Sequence, residues 1–383
     1  MPIGVRSYHR GAMIDSIARQ SMPIESLHGS GARVTRPLTV AVCGATGLVG
    51  QTMMTVLAER GFPVGELRPL ASRADGRSVD FGGRAWPVQV SSPEAFEGVD
   101  IALFSAGGDV SKVLAPEAAA RGAVVIDNSA QWRMEPGIPL VVSQVNPDDA
   151  AAHEGIIANP NCSTMQLVPL LMALRDSVGL ERVIVDTYQS VSGTGAEAVA
   201  ELESQVRAWV AGDPVVSSVY PHQIAFNVLP EIDVFRDDGY SKEEWKVLAE
   251  SRKILHLPDL RVSCTAVRVP VVAAHSEAVH VETRDPVTPD RARELFAAVP
   301  GVVVVDDPRA HRYPLALDAA GSDDIFVGRV RTDTSMDDGR GLAFWVVSDN
   351  IRKGAATNAV QIAEILLERG WLEPASRRAA PEA

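Results

Sequence analysis

Apolar and polar positions alternate along this chain in two rhythms. From residue 38 onward, short unbroken apolar runs are followed by segments of helical period. "PLTVAVC" (37–43) is continuous, apolar and β-branched, which predicts a strand buried on both faces. A glycine turn follows, then a helix whose apolar stripe is Val49, Met53, Val56 and Leu57. "VDIALFSAGG" (99–108) and "AVVIDNSA" (123–130) predict two more buried strands, with the helix "VLAPEAAARG" between them. Such strand–helix–strand alternation predicts a parallel, doubly wound (Rossmann-type) α/β sheet.

Beyond residue 162 the strands lengthen and alternate more clearly: "RVIVDTYQSV", "RVSCTAVRVPV", "EAVHVET", "DIFVGRVRT" and "GLAFWVV". With helices at 194–211 and 241–255, this predicts an α+β region built on a mostly antiparallel sheet. An amphipathic helix at 354–370 closes the ordered chain, and the tail "EPASRRAAPEA" is expected to be loose.

Composition narrows the function. The 383 residues are 46% hydrophobic and 22% charged, ordinary for a globular chain of two or three domains. The net charge of −13 argues against binding a nucleic-acid backbone, and no apolar run reaches the ~20 residues that span a bilayer. Cys43, Cys162 and Cys264 are far apart and odd in number, so they suggest neither disulfides nor a metal site and fit a reduced, cytoplasmic protein. Residues 1–37 are basic and poor in acids. An organelle transit peptide has that composition. The reading preferred is a disordered extension or an over-long start, with Met13 or Met22 as alternatives.

The glycine turn carries the first chemistry. "CGATGLVG" spaces Gly44, Gly47 and Gly50 between a buried strand and a helix, where bare glycines let the backbone approach a pyrophosphate at the helix N-terminus. An NAD site carries an acid at the end of the second strand. Here "LRPLASRADGR" (67–77) places Ser72, Arg73 and Arg77 there, which suits the 2′-phosphate of NADP, although Asp75 stands close by.

The second chemistry lies in "NPNCST" (159–164). Cys162 follows a turn and opens an apolar helical run, and a helix N-terminus favours a thiolate. Cys43 and Cys264 sit inside apolar strands, where cysteine is inert packing. The base a nucleophile needs is sought among eight histidines. His275 stands seven residues after Arg268, an odd offset that puts two side chains on opposite faces of a straight strand. Pro270 between them permits a break that lets both converge on one site. Glu243 and Lys246 share a helix face, which by itself suits an exposed ion pair, and Ser241 with Glu244 forms a capping box that starts this helix.

Eight stretches, in order, resemble the bacterial aspartate-semialdehyde dehydrogenase family: "GATGLVG", "FSAGG", "DNSAQWRM", "NPNCST", "YQSVSGTG", "EEWKVLAESRKIL", "RVPVVAAHSE" and "SDNIRKGAATNAVQIAE". The resemblance spans about residues 38–372. It implies a cofactor-binding domain over 38–161 and 349–374 and a catalytic and dimerisation domain over 162–348. It makes Cys162 the acyl-enzyme nucleophile, His275 the acid/base and Gln189 the amide that positions the reacting group. It gives Arg268 the substrate carboxylate, Glu243 the substrate ammonium, and Arg133 with Lys246 the phosphate. Gly44, Ala45, Thr46, Gly47, Leu48, Val49, Ser72, Arg73, Ser192, Gly193 and Asn350 match cofactor contacts. Ala74 departs from the serine the family often carries there, which implies a 2′-phosphate contact that is either weaker or shared with Arg77.

The activity implied is NADP-dependent reductive dephosphorylation of L-4-aspartyl phosphate to L-aspartate 4-semialdehyde through a cysteine thioester. The family serves lysine, threonine and methionine synthesis and is commonly a homodimer. Two rivals stand beside it. One is a sister enzyme, either an N-acetyl-glutamyl-phosphate reductase or a phosphorylating aldehyde dehydrogenase of the glyceraldehyde-phosphate type. The other is a catalytically dead binding protein on the same scaffold.

Overall fold

The computed structural model of the protein describes residues 36–336 and 338–377. The first sheet is built from β1 (Leu38–Cys43), β2 (Val64–Ala71), β5 (Gln89–Val90), β6 (Ile101–Phe104), β7 (Val124–Asp127) and β8 (Ile156–Ala158). Its order is β5-β2-β1-β6-β7-β8, and every pairing is parallel. The middle strands β1, β6 and β7 are buried on both faces, which explains their unbroken apolar runs. Helices α1 (Leu48–Glu59) and α2 (Gly108–Ala120) follow β1 and β6. Because β2 lies on one side of β1 and β6 on the other, the strand order reverses at β1. The crevice beyond the ends of β1 and β6 is therefore where a ligand fits such a sheet. The hairpin of β3 (Ser78–Phe81) and β4 (Arg84–Pro87) is a separate sheet whose Val79, Phe81 and Trp86 pack against the core of the first.

Helix α3 (Cys162–Val178) leads into the second sheet. That sheet orders β10 (Arg261–Arg268), β9 (Leu180–Gln189), β11 (His275–Thr283), β14 (Gly341–Ser348), β13 (Ile325–Thr332) and β12 (Val302–Val304). Its three inner pairings are antiparallel and its two outer ones parallel. Met165, Leu167, Val168, Leu171 and Leu174 of α3 share one core with Val183, Val185, Val279, Val281 and Phe344 of these strands. Helices α4 (Ala196–Ala211) and α5 (Lys242–Ile254) stand where the sequence predicts them, and the Ser241–Glu244 capping box is present. The sequence reading passed over α6 (Pro289–Ala297), capped by Thr288, and the single turn α7 (Ala316–Ala319).

Two expectations need correction. The C-terminal α-helix, α8 (Asn358–Glu368), begins later than predicted, after a π-helical turn over Arg352–Thr357. In that turn the amides of Gly354 and Ala356 reach back five residues, to the carbonyls of Asp349 (2.9 Å) and Ile351 (3.1 Å). The tail is partly anchored, because the backbone N–H and the hydroxyl of Ser376 both donate to Glu154. Of the residues 1–37 read as an extension, Arg36 and Pro37 are described, and Arg36 donates to Asp100 at 2.9 Å. Residues 1–35 and 378–383 lie outside the described residues. Helix α8 packs its buried positions Ala359, Val360, Ile362, Ala363 and Leu366 into the core of the first sheet.

Candidate active site

A cleft of about 420 Å³ opens where the two sheets meet. The first sheet supplies its cradle. Gly44 closes β1 with φ of +89°, a left-handed conformation, and a side chain there would meet the Ser105 carbonyl oxygen at 2.3 Å. A Cβ at Gly50 would meet the Gly44 carbonyl oxygen at 2.2 Å. Bare backbone thus wraps the mouth of α1, the shape and polarity that hold a pyrophosphate. Val49 lines the cleft, while Ser72 and Arg73 stand exposed after β2. Arg77 donates to the Arg73 carbonyl at 2.7 Å and lies 3.6 Å from Asp75. The donor set at this end fits a dinucleotide.

Cys162 is the first residue of α3, and Asn161 caps it by accepting from the amides of Ser163 (2.9 Å) and Thr164 (3.4 Å). The position is as predicted; its consequence for the thiol is not. Burial first, and then the Glu243 carboxylate, push the Cys162 thiol up to about 12, against the opposing pull of Arg268, Arg133 and the Ser163 amide. Burial likewise lifts Cys43 to about 11 and Cys264 well above its ordinary value. What sets Cys162 apart is therefore access: it is half-buried on the cleft wall while the other two are closed off. The π-turn presses on it from behind, since a Cβ at Gly354 would stand 2.8 Å from the Cys162 Cβ.

Three strand ends meet opposite the thiol. Gln189 ends β9, Arg268 ends β10 beside it, and His275 begins β11 on its other side. The odd offset between Arg268 and His275 is thus no obstacle, because the two lie on different strands with β9 between them. Ser190 joins them: its carbonyl accepts from Arg268 Nη1 (2.7 Å) and its amide donates to His275 Nδ1 (3.0 Å). An amide can only donate, so Nδ1 accepts and the neutral ring carries its proton on Nε2. Nε2 has no partner among the described residues. Burial, then the Arg268 charge, lower the imidazole to about 3, so His275 is neutral at physiological pH. A side chain at Gly193 would crowd Arg268 Nη1 at 3.0 Å and His275 Nε2 at 3.2 Å. Asn350 ties this corner together, its Oδ1 accepting from Ser190 Oγ (3.0 Å), Ser192 Oγ (3.2 Å) and the Ala274 amide (3.0 Å).

Helix α5 supplies the remaining charges. Glu243 Oε1 accepts from Asn161 Nδ2 (2.8 Å) and Gln189 Nε2 (3.0 Å), and Oε2 accepts from Lys246 Nζ (3.0 Å). Burial alone would raise this carboxyl, but the Lys246 charge and the three hydrogen bonds carry it down to about 2. Lys246 also donates to Asp233 at 2.9 Å. The face shared by Glu243 and Lys246 is therefore turned into the cleft, not to open solvent. Arg133 is buried, with Nη1 bonded to Glu250 at 2.9 Å. All the catalytic and substrate positions inferred from the sequence line this one cleft. Of the cofactor positions, Asn350, Gly193 and Val49 line it too, while Gly44, Ala45, Thr46, Gly47, Leu48, Ser72, Arg73 and Ser192 do not. The reading missed Ser190, Glu250 and Gly354. Of these only Glu250 left a signal, standing seven residues after Glu243 and so on the same helix face.

A glycine turn at the switch point of a parallel sheet, beside a cleft that holds a half-buried cysteine at a helix N-terminus, is the arrangement of a dinucleotide-dependent dehydrogenase. Residues 39–153 match the family "Semialdehyde dehydrogenase, NAD binding domain", and residues 171–353 match "Semialdehyde dehydrogenase, dimerisation domain". An aspartate-semialdehyde dehydrogenase of Aquifex aeolicus (strain VF5) is 52% identical over 338 residues, covering 87% of this chain and 99% of that relative. One of Legionella pneumophila is 53% identical over 337 residues, covering 87% and 96%. The crystal structure of aspartate semialdehyde dehydrogenase II of Vibrio cholerae, complexed with ASA, superposes with a TM-score of 0.83 at 47% identity, covering 87% of this chain and 99% of that one. This chain belongs to the aspartate-semialdehyde dehydrogenase family. Among the described residues no helix is long and apolar enough to cross a membrane.

Proposed function

We propose that this chain interconverts L-4-aspartyl phosphate and L-aspartate 4-semialdehyde, with NADP(H) and inorganic phosphate, as a step of lysine, threonine and methionine synthesis. One observation carries the reading. Cys162 faces, within a single cleft, an arginine fork, a buried carboxylate and a neutral imidazole, beside a backbone cradle for a dinucleotide. Residues 38–161 with 349–374 form the cofactor half and 162–348 the catalytic half. A cytoplasmic homodimer fits this function, and the matched dimerisation domain supports the pairing. Family membership and the intact set Cys162, Gln189, Arg268 and His275 set aside the sister reductase and the catalytically dead scaffold.

In the reductive direction Cys162 sulfur attacks the acyl carbon, the C–O bond to phosphate breaks, and the thiol proton leaves with the phosphate. Splitting the reaction at a thioester replaces one hard step with two easier ones. The Gly44–Gly50 cradle would hold NADPH, which would supply a hydride to the thioester carbon; collapse of the resulting alkoxide breaks the C–S bond, releases the aldehyde and leaves the Cys162 sulfur to take up a proton from solvent. The Nε2–H of His275 donates to the acyl oxygen as charge develops there, and Ser190 holds the ring in the tautomer that allows it. Arg268 grips the α-carboxylate through parallel hydrogen bonds, Glu243 attracts the α-ammonium, and Gln189 keeps Glu243 in place. Arg133 and Lys246 hold the phosphate. Ser72 and Arg73 favour the 2′-phosphate of NADP over NAD.

The test is reduction of NADP by purified protein given the semialdehyde and phosphate, repeated with NAD and with arsenate in place of phosphate. Anion-dependent reduction, faster with NADP, is expected. Absence of anion-dependent reduction with either cofactor overturns the reading.

A further inference from the structure

Glu250 lies under the cleft wall and is absent from the residues that the proposed mechanism uses. Its side chain is 1% exposed, and its two oxygens go to different places. Oε1 accepts from Arg133 Nη1 at 2.9 Å, and Oε2 accepts from the backbone amide of Asn161 at 2.7 Å. Asn161 immediately precedes the nucleophile and caps its helix. One carboxylate therefore connects the anion-binding arginine to the first peptide of the nucleophile's helix.

The hydrogen-bond inventory of Arg133 shows what this connection does. A guanidinium carries five N–H donors. Nε donates to the Asn159 carbonyl (2.9 Å), Nη2 to the Asn128 carbonyl (2.7 Å) and Nη1 to Glu250. Three donors are committed and two remain for a ligand. A side chain held on three sides loses almost no rotamer freedom when an anion arrives, which is the condition for tight, oriented binding. Glu250 is also the one charged partner in that set, and its carboxylate compensates a guanidinium that is itself buried.

Asn161 is clamped twice from the same helix. Glu250 holds its backbone amide, and Glu243, two turns earlier on α5, holds its side-chain Nδ2 at 2.8 Å. The spacing of seven residues puts both carboxylates on one stripe. That stripe aligns the substrate-facing carboxylate, the N-cap of Cys162 and the anion arginine as one unit.

We propose that Glu250 is a positioning residue that sets Arg133 against Cys162, so that phosphate is bound and released in register with the thioester carbon. The proposal rests on the function given above. Glu250→Gln is nearly isosteric but sets an N–H₂ against one of two fixed donors, while Glu250→Asp keeps the charge and shortens the reach. In the phosphorylating direction, Glu250→Gln is expected to raise KM for phosphate about tenfold or more and leave KM for NADP within about twofold. A second readout needs no turnover: inorganic phosphate protects Cys162 from iodoacetamide, and the half-protecting concentration rises by a similar factor in Glu250→Gln. Glu250→Asp recovers part of both losses, and it carries the test if Glu250→Gln does not fold. Unchanged phosphate KM and protection in a variant that melts like the wild type overturn the proposal. So does a uniform fall in kcat with every KM unchanged, the mark of a merely structural role, and so does failure of phosphate to protect the wild type. If the wild type does not turn over the semialdehyde yet shows Glu250-dependent protection by phosphate, the functional reading fails and what stands is that Glu250 sets Arg133 for anion binding beside Cys162.

Discussion

The two sides of the cleft are made in different ways. On the cofactor side, next to the cleft, the cradle is backbone. Gly44 and Gly50 matter because they lack side chains, and the nearest obstacles to a Cβ there are carbonyl oxygens at 2.3 and 2.2 Å. On the substrate side the wall is a mesh of side chains. Glu243 alone accepts from Asn161, Gln189 and Lys246, and Ser190 binds Arg268 and His275 at once. A backbone cradle tolerates no added atom but needs no charge balance. A buried ionic mesh tolerates changes of size poorly and of charge hardly at all, because each lost partner leaves another buried group unpaired.

The largest effect expected is on the substrate side. Cys162→Ala should abolish turnover by several orders of magnitude and leave NADP binding intact, as read by cofactor titration. Alkylation should label Cys162 ahead of the closed-off Cys43 and Cys264. Preferential inactivation through Cys43 would show that access is not what distinguishes the thiols. Next comes Arg268→Lys, which keeps the charge and loses the fork. A loss of about 10²-fold or more in kcat/KM for the semialdehyde is expected, with the NADP dissociation constant unmoved. If both constants changed together, the two walls would not be independent.

On the cofactor side, Arg73→Ala should weaken NADP by roughly ten- to hundredfold, the equivalent of one charge-assisted hydrogen bond, and leave NAD nearly unchanged. Equal losses with both cofactors would remove Arg73 from 2′-phosphate recognition. Gly44→Ala sharpens the contrast, because it should impair both cofactors alike while Cys162 still reacts with iodoacetamide at the wild-type rate.

The smallest effect is on stability, beneath the substrate side. Glu277 faces the core two residues after His275, and neither of its oxygens has a close partner among the described residues. Burial raises its carboxyl to about 8, with Gln166 opposing weakly. Between about pH 4.5 and 8 the unfolded chain releases this proton and the folded chain keeps it. Stability therefore falls as pH rises through that window. Glu277→Gln removes this dependence, so its melting temperature should exceed that of the wild type by a margin that widens from pH 5 to pH 8. Parallel curves for the two proteins would show that Glu277 is ionised in the fold.

The contrast between the walls also separates what was legible in the sequence from what was not. The cradle was legible because it is local: strand, three spaced glycines and helix are contiguous, and glycine's freedom at Gly44 is a property of that residue. The start of α3 at Cys162 and of α5 after Ser241 were legible for the same reason, since an N-cap acts within three residues. The convergence of Arg268 and His275 was only permitted by the sequence. It depends on β9 lying between β10 and β11, an order set by long-range pairing. The state of the thiol was misjudged because the helix N-terminus is local, whereas burial and the Glu243 charge come from segments about 80 residues away. Glu250 and Ser190 act through partners 78 to 160 residues distant, and no periodicity records such a contact. The sequence by itself determined most of the elements, the glycine turn and the placing of Cys162 at a helix start, all of which rest on short-range geometry. Only the tertiary structure decided which charges face one another and which nitrogen of His275 carries the proton. Those follow from desolvation and from partners that meet only when the two sheets close on the cleft.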